Sequence, residues 1–420
     1  MQGINCLKDL FKNADRMLLI LPVIFAVISI VMIESTVYDG SIKITRDVLI
    51  QFVAYIIGII AIFVMLLFDY MQYKGITKIL YVISILCMLS VYTPLGIEQY
   101  GSRAWLNLGV TTIQPCEIVK ITFVLIFAKY LTEHAAELLY FKGLVKAVLV
   151  AAPLIGLILI EDMGNALVVF FMMIVMIYAA GVNRKIYWGC AAAACASVPV
   201  AYFFMQDHQR ARIDAFLHPN DLSIQANYQV WNSKISIGSG GFFGKGLFHG
   251  EQKALDFLPV AKSDFIFAVI CEELGFLGGG AVIGLYAFFM YRIIRIAERT
   301  KDTYGYLIVI GLGAMFFFQI FENIGMTIGI MPVTGITLPF ISSGGTSNFA
   351  FTPAASRSSK PFFGAGTSIF TSASTSCERS LSELTMSTGP AARRAKAAIR
   401  SSASYSGSCS SGQPNAAASS

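Results

Sequence analysis

The sequence predicts an all-α polytopic membrane protein, and three observations carry that prediction. Of 420 residues, 56% are hydrophobic and only 13% are charged, whereas soluble chains carry about 25% charged residues. Nine apolar runs lie near 17–34, 49–68, 79–95, 118–132, 145–161, 164–181, 186–206, 264–291 and 304–330, on the scale of the roughly 20 residues that one helix needs to cross a bilayer. Lys and Arg gather in alternate loops between the runs, as the positive-inside rule requires.

The same composition excludes other classes. A net charge of +6, from 31 Lys and Arg against 25 Asp and Glu, is too weak a basic excess to indicate nucleic acid. The eight cysteines show no CxxC metal spacing and no disulfide framework. Cys87, Cys190, Cys195 and Cys271 sit in apolar runs, where thiols behave as small core residues.

In chain order, the first run is too long for a cleaved signal, lacks a small-residue cleavage site, and ends at Glu34. Lys8, Lys12 and Arg16 precede it. Lys74 and Lys78 separate runs two and three, Lys142 and Lys146 runs four and five, and Arg184 and Lys185 runs six and seven. Arg292, Arg295, Arg299 and Lys301 separate runs eight and nine. All of these loops fall on one side, which places the N terminus in the cytoplasm and 96–117, 207–263 and 331–348 outside. After about 349 the chain turns rich in Ser and Ala, with no run long enough to span, and is expected to be disordered.

Ionisable groups at membrane depth are costly and therefore functional candidates. Glu117 and Lys120, three apart in QPCEIVK, share a helix face. They read either as a structural ion pair or as charges lining a cavity for an anionic substrate. Glu161 and Asp162 in EDMGN occupy a short outer loop that would ordinarily be a solvated turn. Glu272 and Glu273 lie two turns inside the eighth run, so at least one must face protein or water; Glu322 and Asn323 do the same in the ninth.

The long outer loop holds GSGGFFGKG. It is not a phosphate-binding P-loop, because Ser239 stands where the first Gly belongs and Gly246 follows the Lys. It reads as a set of tight turns or as backbone that closely approaches a substrate. Asp264 stands one residue before Phe265 opens the eighth run. It reads as an ordinary N-cap or as a base at the boundary where water meets a lipid headgroup.

QPCEIVK, GSGGFFGKGL, FLPVAKSDFIFAVICEELG and ENIGMTIGIMPVTGITLPFISSGGTS stand in the order and spacing of the SEDS family, the RodA, FtsW and SpoVE proteins of bacterial wall synthesis. GSRAWLNLG fits as well. The chain resembles this family over about 1–348, and its short N terminus and RDVLIQFVAYIIG look more like RodA than FtsW. The resemblance implies a bundle of ten membrane helices, of which nine are recognisable over 1–348; the Ser- and Ala-rich composition of 349–420 sets it apart as a tail. It implies polymerisation of lipid II into glycan strands for cell-wall elongation and cell shape. It places the family's essential carboxylate on Asp264, and further site residues on Arg103, Glu117, Lys120 and Asp162.

The sequence departs from the family pattern at Val260 and Ser263, at Ser343, and after GGTS, where NFAFTPAASRSSKPF replaces the apolar run of a tenth helix. An out-of-frame C terminus from about Thr346 or Asn348 would produce that change, and would leave an inactive version of an active family.

The implied reaction is glycosyl transfer with an undecaprenyl-pyrophosphate leaving group. Asp264 is the expected base toward the attacking hydroxyl. Arg103 and Lys120 are the expected cations for the pyrophosphate, with Arg210, Arg212 and Lys245 as outer-loop candidates; a guanidinium grips two phosphate oxygens at once. A divalent cation, Mg or Mn, could share that work, although no ligand set is legible. The implied partners are lipid II, the nascent glycan, a class B penicillin-binding protein acting as transpeptidase, and wall-elongation or division proteins, with no nucleic acid. A flippase for the lipid-linked precursor and an inactive scaffold for a transpeptidase are the competing functions.

Overall fold

The computed structural model describes residues 15–38, 45–67, 70–99, 102–107, 112–203, 205–251, 258 and 260–343. The expected tail from 349 onward lies outside the described residues. Within them the chain forms α1 (Arg16–Val37), α2 (Arg46–Leu67), α3 (Tyr70–Leu89), α4 (Pro115–Glu133), α5 (Phe141–Glu161), α6 (Met163–Ala179), α7 (Arg184–Tyr202), α8 (Asp207–Leu217), α9 (Gln225–Ser239), α10 (Ile266–Arg299) and α11 (Thr303–Ile328). Strands β1 (Gly96–Gln99), β2 (Ser102–Asn107) and β3 (Thr112–Ile113) form one small antiparallel sheet in that order.

The protein is an all-α polytopic membrane protein. Each of the nine apolar runs falls on a helix, α1 to α7, α10 and α11. Among the described residues, five spans are long and apolar enough to cross a membrane: Arg16–Val37, Met71–Tyr92, Phe141–Glu161, Ile266–Arg299 and Thr303–Ile328. Val27, Leu86, Leu149 and Ile294 are exposed on these helices, as a lipid-facing surface requires.

Three features depart from a plain hydropathy reading. The third run extends to 95, but α3 ends at Leu89 and a 3-10 turn follows to Tyr92. Pro94 disfavours helix at Thr93, and the chain turns into β1. The loop 207–263 carries α8 and α9, whose polar composition hides them from a hydropathy reading. Helix α10 is broken inside, at Gly275, where φ is 67° and ψ is −165°.

Helices α1 and α10 run antiparallel, pinned at both ends. Asp15 pairs with Arg292 at one end, and Ser35 Oγ donates to Glu273 Oε1 at 2.5 Å at the other. About 20 residues separate the pins, or about 30 Å of helix, which is the thickness of a bilayer core. Helix α11 is the most enclosed span, packed on α4, α6 and α10. At Gly311 an added Cβ would stand 2.7 Å from Met176 Sδ and 2.9 Å from Val124 Cγ1. A small residue is what lets α11, α6 and α4 approach so closely.

Candidate active site

Helix α11 ends at Gly329, a left-handed cap with φ of 79°. The chain then runs without helix through 331–343, with Thr334, Ile336, Leu338, Phe340, Ile341 and Ser342 buried. Buried backbone must find partners, and here side chains from five helices supply them. The Thr334 carbonyl accepts from Arg212 Nη1 at 2.8 Å, that of Ile336 from Asn323 Nδ2 at 2.8 Å, and that of Pro339 from the Tyr286 hydroxyl at 2.5 Å. The Phe340 carbonyl accepts from Tyr55, that of Ile341 from Ser29 at 2.7 Å, and that of Ser342 from Gln51 at 3.3 Å.

This segment wraps the turn that carries Asp264. The amide of Asn323 also donates to the Asp264 carbonyl at 2.9 Å. Ser342 Oγ donates to the Ser263 carbonyl at 2.5 Å, and the Ser343 N–H to the Lys262 carbonyl at 2.8 Å. Gly335, at φ of 76°, lies so close that an added Cβ would stand 3.6 Å from Asp264 Oδ2. Asp264 is not the N-cap of α10: that position belongs to Phe265, and no side chain caps the helix. Its half-buried carboxyl is pushed up to about 6 by burial, against the downward pull of the Ser263 hydrogen bond and the Arg212 charge, with the Asp162 charge adding to the rise. Asp264, Arg212 and Asp162 therefore share one electrostatic neighbourhood.

Asp162 is not a solvated turn residue. It caps α6, accepting the Asn165 N–H at 3.0 Å, and it also accepts from Asn165 Nδ2 at 2.8 Å and Gln114 Nε2 at 3.0 Å. Asn165 Oδ1 in turn accepts from Lys120 Nζ at 2.8 Å, and Lys120 pairs with Glu117 at 2.9 Å. Lys120 is 0% exposed and Glu117 3%. The result is a buried relay from Glu117 through Lys120 and Asn165 to Asp162. Gly164 presses this end of α6 onto the wrapping segment, since an added Cβ would stand 2.9 Å from the Thr334 carbonyl oxygen. That packing brings Asp162 toward Asp264.

The other expected residues are engaged elsewhere. Arg103 is exposed on β2 and donates to the Thr93 carbonyl at 3.1 Å. Arg210 donates to the carbonyls of Tyr202 and Phe203 at 3.2 and 2.6 Å. Lys245 pairs with Glu272 at 3.1 Å and Glu251 at 3.2 Å. The GSGGFFGKG stretch begins as the end of α9 and continues from Gly240 as a set of turns, with positive φ at Gly241, Gly244 and Gly246, and the backbone it approaches closely is that of α10. Among the described residues, no three His, Cys, Asp or Glu side chains are placed to hold a metal ion. Gln114, Asn165, Thr334 and Gly335 are not legible in the sequence as site residues, whereas Asn323 stands out with Glu322 at membrane depth. The only signal of those four is membership of QPCEIVK, EDMGN and PVTG.

Residues 14–356 match the family described as cell cycle protein, which comprises FtsW, RodA and SpoVE. The peptidoglycan glycosyltransferase MrdB of Escherichia coli K12 is 34% identical over 290 residues, covering 69% of this chain and 78% of MrdB. A chain in a solved peptidoglycan synthase complex that coordinates polymerization and crosslinking superposes with a TM-score of 0.70 at 27% identity, covering 82% of this chain and 96% of that one. The crystal structure of the rod shape determining protein RodA from Thermus thermophilus gives a TM-score of 0.61 at 27% identity, covering 82% and 95%.

Proposed function

Because the chain belongs to the FtsW, RodA and SpoVE family of multi-pass bacterial membrane proteins, we propose that it is a peptidoglycan glycosyltransferase that polymerises lipid II for cell-wall elongation. The observation that carries this reading is the seating of Asp264. Its carboxyl, raised by burial and within the field of the Arg212 charge, lies in a turn whose carbonyls are held by Asn323, Ser342 and Ser343.

A sugar 4-hydroxyl of the acceptor attacks the anomeric carbon of the donor. Asp264 takes the hydroxyl proton as the new glycosidic bond forms, and the bond from that carbon to the undecaprenyl pyrophosphate breaks. A base with a pKa just below working pH is mostly ionised yet still basic, and a positioned base contributes about 10²–10⁴-fold. The Arg212 charge acts on Asp264, and one of its five N–H donors is anchored by the Thr334 carbonyl. Arg212 stabilises the departing pyrophosphate, with Arg103 and Arg210 as further cations on the same outer side, whereas Lys245 is held by Glu272 and Glu251. Lys120 and Glu117, being buried, act through Asn165 by fixing Asp162.

The membrane orientation is N terminus inward, supported by the Lys and Arg clusters at the ends of the helices opposite the site. Likeness to a chain of a peptidoglycan synthase complex supports a transpeptidase partner. The test is incubation of the purified protein with lipid II in detergent. Glycan polymer from the parent protein and none from Asp264→Asn is the expected result. No polymer from the parent would remove the glycosyltransferase reading and favour a flippase or a scaffold.

A further inference from the structure

The break at Gly275 divides α10 into an outer half-helix, 266–274, which begins directly behind Asp264, and an inner span. A continuous helix would pair the N–H groups of Phe276 and Leu277 with the carbonyls of Glu272 and Glu273. The glycine loop takes over both sides of that exchange. Lys245 and Gly246 donate their N–H groups to the carbonyls of Glu272 and Glu273, each at 3.0 Å. Phe276 and Leu277 donate theirs to the carbonyls of Gly241 and Phe242 at 2.9 and 3.2 Å. Added Cβ atoms at Gly240 and Gly244 would stand 2.0 Å from the Cys271 carbonyl oxygen and 2.1 Å from that of Glu273. Only glycine lets the loop dock there.

Side chains reinforce the same junction. Lys245 Nζ reaches Glu272 Oε1 at 3.1 Å, the Glu251 N–H donates to that oxygen at 2.8 Å, and Ser35 of α1 holds Glu273. Both carboxylates are fully buried, while Lys245 is 23% exposed. With the helical ladder interrupted at the break, these contacts set the tilt of the half-helix relative to the rest of α10. Its nine residues make a strut of about 13 Å, so a tilt of about 5° at the junction moves the Asp264 end by about 1 Å.

Resting on the glycosyltransferase reading above, we infer that Lys245 is a positioning residue: by clamping Glu272 at the inner end of the half-helix, it fixes where Asp264 stands. This places the Lys245 ammonium on the protein's own carboxylate. A 1 Å displacement of a catalytic group costs up to about 10²-fold in rate, which sets the scale of the expected effect.

The experiment pairs hydrogen–deuterium exchange with polymerisation on the full chain in detergent. Lys245→Met should raise exchange over 262–275 while leaving 303–328 unchanged. It should also lower kcat by about 10- to 100-fold with KM for lipid II near the parent value, and Lys245→Arg should restore most of both. Unchanged exchange over 262–275 overturns the inference, whatever the rates. A raised KM with kcat and exchange unchanged also overturns it, because Lys245 would then be contacting substrate. Exchange that rises equally in every helix reduces Lys245 to general stability and overturns it too. A parent protein that makes no polymer, while the local rise in exchange persists and is reversed by Lys245→Arg, counts against the glycosyltransferase reading and leaves the clamp in place.

Discussion

Asn323 donates one side-chain amide to two backbone carbonyls, that of Asp264 at 2.9 Å and that of Ile336 at 2.8 Å. One residue of α11 thus holds the turn bearing the carboxylate against the segment that wraps it. Asn323→Leu removes both donors and leaves two enclosed carbonyls unpaired, each at about 1–3 kcal/mol. We expect a lower melting temperature and a loss of polymerisation in the protein that remains folded. Parent-like values of both would show that the bridge is not what seats Asp264.

Asp264→Asn should abolish polymerisation while leaving insertion and folding intact, because the amide keeps the shape and loses the basic oxygen. The raised pKa adds a pH dependence. In the parent, kcat/KM should fall as pH drops through about 6, since the base is then protonated. The stability sign runs the other way. A carboxyl raised by burial is more costly ionised in the folded state than in the unfolded one, where it titrates near 3.9. The parent should therefore lose stability relative to Asp264→Asn as pH rises from about 4 to about 6. Melting curves of the two proteins that stay parallel across that window would place the carboxyl in water.

Much of this architecture was legible in the sequence because the bilayer makes hydropathy decisive: each of the nine runs became a helix. The Glu117–Lys120 pair was also legible, since both partners lie on one helix face. Helices α8 and α9 were not, because their faces are mostly polar. The site itself is built from long-range contacts. Asn323 meets Asp264 across 59 positions, and Arg212 meets Thr334 across 122. No local period encodes those pairings. The roles of Gln114 and Asn165 were hidden for a similar reason, because an amide acquires its meaning from neighbours on other helices.

The glycines of the outer loop should separate sharply by position. Gly244→Ala places a Cβ 2.1 Å from the Glu273 carbonyl oxygen and requires φ of 85°, so the loop must leave the break in α10. Gly238 lies within α9 with nothing within 4 Å of its added Cβ. There the substitution should be neutral or stabilising, by up to about 1 kcal/mol. Melting temperatures should fall for Gly244→Ala and hold or rise for Gly238→Ala. The same response from both would mean the loop is not docked at Gly275.

Glu117 and Lys120 should behave as one unit, and Asn165 reports on them. Both charges are enclosed between α4 and α6, so removing one leaves the other without its counter-charge. That costs about 3–5 kcal/mol for a buried pair. Glu117→Gln and Lys120→Met should therefore each be more damaging than half of the double substitution, and a double-mutant cycle should show losses well short of additive. The effect should also travel. Lys120 Nζ binds Asn165 Oδ1, which turns the amide nitrogen toward Asp162. Without Lys120 that amide is free to flip and present its oxygen to the Asp162 carboxylate. Asn165→Asp makes the same juxtaposition permanent, placing a second carboxylate against Asp162, and should match or exceed the Lys120→Met loss of melting temperature and polymerisation. Additive losses in the cycle, or an Asn165→Asp protein indistinguishable from the parent, would mean that the relay from Glu117 to Asp162 is not energetically connected.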